Sequence, residues 1–106
     1  MIPDLELEDG SNYQIGKYGK MRQRYLFENH HAMYTHLVLT EKLWKHLEEV
    51  DMECNDMMDM LTVRMAEREG VTEHLKSVDQ RGWVRKMNNI RSRAEEVVLH
   101  DLIYMD

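Results

Sequence analysis

Arg81, Arg85, Asn88 and Ser92 fall three and four apart along the C-terminal part of the chain, with Asn89 and Arg93 alongside. On a helix this spacing makes one stripe, and Arg and Asn are the side chains that reach phosphates and base edges. Lys17, Lys20 and Arg24 form a second cationic cluster. Together they are the candidate nucleic-acid contacts. The competing reading is a solvated or ion-paired face beside an acidic helix. The histidines suggest metal chemistry less well. His30 and His31 are adjacent and diverge, and His31 and His36 are five apart rather than the four that two chelating imidazoles need. His46, Glu49 and Glu53 share a face but do not reach the three or four converging ligands of a known spacing. Cys54 lies in an apolar seam, where a thiol behaves as a small hydrophobe rather than a nucleophile. The acids Glu48, Glu49, Asp51 and Glu53 diverge around a helix, and no apolar pocket is evident to raise one pKa. No phosphate loop, nucleophile elbow or zinc-protease motif is present. No catalytic residue, metal or cofactor is therefore expected, and the chain reads as a non-enzyme.

Composition narrows the classes further. The chain has 106 residues, with Lys and Arg at 14, Asp and Glu at 20, and a net charge of −6. One domain fits that length, and the acidic balance argues against a generally basic nucleic-acid binder. Five Gly and one Pro leave few turns, which argues against an all-β fold. One Cys excludes an intramolecular disulfide framework and any multi-cysteine metal site. No apolar run has the length of a membrane span, and Met1-Ile2-Pro3-Asp4 lacks the basic start of a signal peptide, so a cytoplasmic protein is expected. Charge alternates in blocks: −4 over 1–9, +4 over 17–24, −5 over 41–59, +5 over 76–93 and −4 over 95–106. Helices packed side by side would use such blocks as complementary faces.

The elements that must position these residues are helical. Residues 1–14 read as an extended or mobile lead, with Pro3 favouring extended backbone and Asp9-Gly10-Ser11-Asn12 as a turn cluster. Residues 15–106 read as one helical domain. Tyr18, Met21, Tyr25 and Leu26 share a face of a helix over 16–28, and Asn29 caps a second short helix over 30–39 carrying Met33 and Leu37. Thr40 reads as the N-cap of a long helix over 41–69, with Leu39 and Trp44 as its hydrophobic staple. Leu43, Leu47, Val50, Cys54, Met57 and Leu61 repeat at 4-3-4-3-4, and Met65 continues the seam. Gly70 stops this helix just past Arg68. Thr72 caps a second long helix over 73–103, whose seam is Trp83, Met87, Ile90, Ala94 and Val97, with Leu75 and Val78 leading in and Val98 and Leu102 trailing. Gly82 inside it marks close packing or a bend. A reversal this short makes the two long helices antiparallel. Five methionines, Met52, Met57, Met58, Met60 and Met65, crowd the first of them, more than one face can bury. They signal a loosely specified core or a partner interface on the face of Met58 and Met65.

Several strings resemble a known family. Met65-Ala66-Glu67-Arg68-Glu69-Gly70-Val71-Thr72-Glu73, then Trp83-Val84-Arg85-Lys86-Met87-Asn88-Asn89-Ile90-Arg91 and Arg93-Ala94-Glu95-Glu96, are similar to the TnpV family, as are Ile15-Gly16-Lys17-Tyr18-Gly19, Tyr25-Leu26 and Leu43-Trp44. The resemblance runs from about Pro3 to Tyr104. It implies a small protein encoded on bacterial transposons and conjugative elements, and it brings no established activity, ligand or catalytic residue. Many members carry proline near His31, which implies a helix break there, although His31-Ala32 can continue a helix. The chain thus reads as an accessory protein of a mobile element that engages an element-encoded or host protein. The alternative is a small DNA-binding factor using the basic stripe. Long helices in so short a chain suggest a homodimer completing the bundle. Trp83, at the head of its seam, is expected to be buried against the C-terminal half of the first long helix, with Trp83→Ala costing roughly 3–5 kcal/mol.

Overall fold

A computed structural model of the chain describes residues 12–105. Most of the lead expected over 1–14 therefore lies outside the described residues, as does the acidic block over 1–9. The described chain is helical: α1 (Lys17–Asn29), α2 (His31–Leu39), α3 (Leu43–Glu69), α4 (Glu73–Val78) and α5 (Gln80–Val98), followed by a π-helical turn over Leu99–Ile103. α3 spans about 40 Å at 1.5 Å per residue. Its early residues meet late residues of α5, as in the cluster of Tyr18, Val50, Cys54, Val98 and Ile103. The two long helices are thus antiparallel, and α1 packs on the N-terminal half of α3.

Local chemistry explains most of the boundaries. Gly70 takes φ +71, the left-handed position glycine favours at a helix end, and the Val71 N–H closes onto Ala66 O at 2.9 Å. Thr72 Oγ1 accepts the Leu75 N–H at 3.2 Å and starts α4. The helix expected over 73–103 is interrupted, however. Asp79 leaves the helix and its Oδ1 accepts the Gly82 N–H at 3.0 Å, making Asp79 the N-cap of α5. A Cβ on Gly82 would lie 2.3 Å from Asp79 Oδ2, so glycine there makes room for the cap.

Two other expectations are corrected. Thr40 is not the N-cap of α3. It ends α2, donating its hydroxyl to His36 O at 2.8 Å, while Glu41 adopts φ +59 and the Lys42 N–H returns to Leu37 O at 2.9 Å. α2 keeps its hydrogen bonds up to that turn, so α3 begins only at Leu43, and Leu39 is exposed rather than stapled to Trp44. Asn29 is likewise the last residue of α1 and bonds back to Tyr25 O, while the break falls at His30.

The seam of α5 also shifts. Ile90, Ala94 and Val98 are fully buried four apart, and Val97 is exposed. A strict four-residue spacing drifts around the helix, and the π turn adds the residue that returns Ile103 to the core, with the Tyr104 N–H bonded to Leu99 O at 2.9 Å. The molecule measures 64 × 25 × 17 Å.

Candidate functional site

The junction of α1, α3 and the C-terminal turn is the most constrained polar region. Gly19 N–H, one of the free amides at the start of α1, donates to Asp51 Oδ1 of α3 at 2.9 Å. Asp51 thus supplies from another helix the cap that Gly16 cannot. Arg22, one turn further along α1, is buried and donates to Ile103 O and Met105 O, both at 2.7 Å. Its charge meets the carbonyls of the terminal turn, tying the C-terminus to α1. Arg22 also lies 3.4 Å from His46 Nε2. Burial, and then the Arg22 charge, hold the His46 imidazole below its usual pKa. Spacing alone does not mark Arg22 or Asp51 for a structural role. The signal was present: Arg22 sits four residues from both Tyr18 and Leu26, and Gly16 and Gly19 stand where one helix could approach another closely.

The predicted cations separate into paired and unpaired groups. Lys17 Nζ donates to Glu95 Oε2 at 2.6 Å, and the Tyr18 hydroxyl donates to the same oxygen at 2.8 Å. These two bonds hold the Glu95 carboxyl below its usual range. Burial and the Glu95 contact push Tyr18 up to about 12. Arg93 donates two parallel bonds to Glu69 of α3, both 2.7 Å, and its Nε–H donates to Asn89 Oδ1 at 2.8 Å. Arg24 pairs with Glu28 one turn away. Arg81, Arg85 and Lys20 form no ion pair with any described residue, and Asn88 is exposed. Because Glu95 holds Lys17, the α1 cluster lies roughly 15 to 21 Å along α5 from Arg85 and Arg81. The eight residues are not one field.

The remaining candidates also have definite places. Met58 and Met65 are both half-buried, Met58 against the core cluster, whereas Met52 and Met60 are exposed. Cys54 is fully buried, its thiol pushed up to about 11 by burial and by Asp51 and Glu53. His46, Glu49 and Glu53 line one hollow with Arg22 and Met105. Among the described residues no group of three His, Cys, Asp or Glu could hold a metal ion, and no helix is long and apolar enough to cross a membrane. α2 differs from every other long element: none of its residues is buried, although Met33, Leu37, Val38 and Leu39 are apolar. Phe27 continues this surface from α1.

The comparison with curated proteins returned no match, and neither did the comparison with solved structures. A family profile described as transposon-encoded protein TnpV matches residues 1–103, essentially the whole length. The chain belongs to the TnpV family of transposon-encoded proteins.

Proposed function

We propose that this protein is a non-enzymatic accessory factor of its mobile element and acts by binding another element-encoded or host protein in the cytoplasm. The observation that carries the reading is α2, an apolar helix on the outside of the fold with no buried residue. Met33 and Leu39 are exposed about 120° apart around this helix, and Phe27 of α1 is exposed against its His31 and Tyr34, so apolar side chains stand on more than one side of α2 for a partner to cover. The acidic N-terminal half of α3, beside α2, would favour a basic rim on that partner. The test is titration of the purified protein against each other product of its element, one at a time, by calorimetry. One product should bind, and Met33→Glu with Leu39→Glu should abolish that binding while the helical spectrum stays unchanged. Binding that survives both charges would overturn the α2 assignment.

The second reading is DNA contact through Arg81 and Arg85, supported by their lack of partners among the described residues. It is weaker because Lys17, Arg24 and Arg93 spend their charge within the fold. Duplexes carrying the element ends, titrated at several salt concentrations, decide it. A steep fall of affinity with salt, lost in Arg85→Ala, would favour the DNA reading.

A further inference from the structure

Beyond Cys54 the chain runs out along α3, turns at Gly70, and returns through α4 and α5 to Ile90. Within that stretch only Val71 and Gly82 are buried. Leu61, Met65, Leu75, Trp83 and Met87 remain half-buried, because in this two-helix layer no described residue covers the second face. Thr62, Val63, Ala66, Val71, Trp83 and Met87 floor a groove of about 310 Å³ in this layer. Glu67 and Glu73 line it as exposed side chains, and neither makes an ion pair with a described residue. Next to Trp83, Val84 is exposed, and it lines a hollow of its own with Arg81 and Arg85.

We propose that a second copy of this chain covers the groove through a two-fold contact. Val84 of each copy enters the groove of the other, and Arg81 and Arg85 of each pair with Glu67 and Glu73 of the other. Charge complementarity selects this occupant. An apolar groove rimmed by two carboxylates calls for an exposed apolar side chain flanked by two cations, and Val84 with Arg81 and Arg85 supplies one on the same chain, beside the groove. One two-fold axis then satisfies both halves at once. The two hairpins together give the exposed seam the four-helix environment that such seams normally have. Nucleic acid fits less well, because its phosphates would face Glu67 and Glu73. The contact is separate from the α2 surface, so either assignment can fail without the other.

Sedimentation equilibrium on the full chain should show a dimer. Arg81→Glu with Arg85→Glu should weaken it by about tenfold or more, since like charges then face each other across the contact. Glu67→Arg with Glu73→Arg should do the same. An equimolar mixture of the two double variants should regain the dimer, because each then offers the other opposite charges at both rims. Val84→Glu, at an exposed position, provides a second probe that leaves the fold intact, and it should give a monomer with an unchanged helical spectrum. A wild-type monomer, a dimer indifferent to these charges, or a mixture that stays monomeric would each overturn the proposal. So would a monomer that binds duplex DNA and loses that binding on Arg81 and Arg85 reversal.

Discussion

Gly19 shows how one missing methyl sets the approach of α1 to α3. A Cβ there would lie 2.5 Å from Ile15 Cγ2 and 3.0 Å from Leu47 O, and the carbonyl belongs to the backbone of α3 and cannot swing aside. Alanine is the better helix former by about 1 kcal/mol, but overpacking of this kind costs about 1–3 kcal/mol. Gly19→Ala should therefore lower the melting temperature, and a rise would show that the helices are free to separate. Asp51 answers to the same junction. Asp51→Ala leaves the Gly19 N–H buried without an acceptor and should cost about 1–3 kcal/mol by denaturant titration. Asp51→Asn keeps a carbonyl oxygen in reach and should cost less. Trp83 belongs at this scale too. It faces the C-terminal half of α3, as its place at the head of the α5 seam implies, yet it is half-buried, with Lys76 Nζ 4.7 Å from its ring centre. Half-burial in place of burial lowers the cost of Trp83→Ala to roughly 1.5–3 kcal/mol, the value for partial loss of apolar cover.

Caps decide where the elements begin. Asp79 accepts the Gly82 N–H and stands where α4 ends and α5 starts. Asp79→Ala should cost about 1 kcal/mol, whereas Asp79→Asn should be nearly neutral, and equal losses in both would show that the carboxylate charge rather than the hydrogen bond matters. Between α2 and α3, Glu41 holds a left-handed conformation at φ +59, where a Cβ is unfavourable. Glu41→Gly should stabilise the protein by about 0.5–1 kcal/mol, read as a higher melting temperature, because relief of that strain exceeds the added entropy of the unfolded chain.

The whole molecule has a radius of gyration of 18.1 Å, against roughly 13 Å for a compact globule of this length. Its stability should have a plateau in pH with distinct causes at each edge. His46 binds protons less readily folded than unfolded, so stability is present above the unfolded value of 6.5 and falls as the pH drops below it. The depressed Glu95 and Glu69 carboxyls add a further loss in acid, as each protonates below its usual range and leaves Lys17 or Arg93 without its partner. On the alkaline side Cys54 and Tyr18 are held protonated, at about 11 and about 12. Their contribution is therefore lost as the pH rises past the unfolded values of 9.0 and 10.0. Thermal melts across this range should show the acid edge softened in His46→Gln, and an unmoved edge would assign it to the carboxyls alone.

Helical class, the Gly70 reversal, the Thr72 cap and the seam from Leu43 to Cys54 were legible in the chain itself, because each depends on contacts within about one or two turns of helix. The left-handed glycine and the capping hydroxyl act on backbone groups only a few residues away. Family membership was legible as well, since it rests on runs of residues rather than on where they meet. Tertiary structure decided the rest. Whether Arg93 is a phosphate contact or a partner of Glu69 depends on two helices brought side by side across a turn, and the spacing of arginines is the same either way. Val98 rather than Val97 enters the core because Tyr18 of α1 and Ile103 of the terminal turn join Val50 and Cys54 around it. Asp51 caps a helix whose N-cap residue, Gly16, lies 35 residues earlier in the chain. Sequence periodicity reports which face of a helix is apolar; which neighbour covers that face, and which charges are used up in covering it, is settled only by the packing.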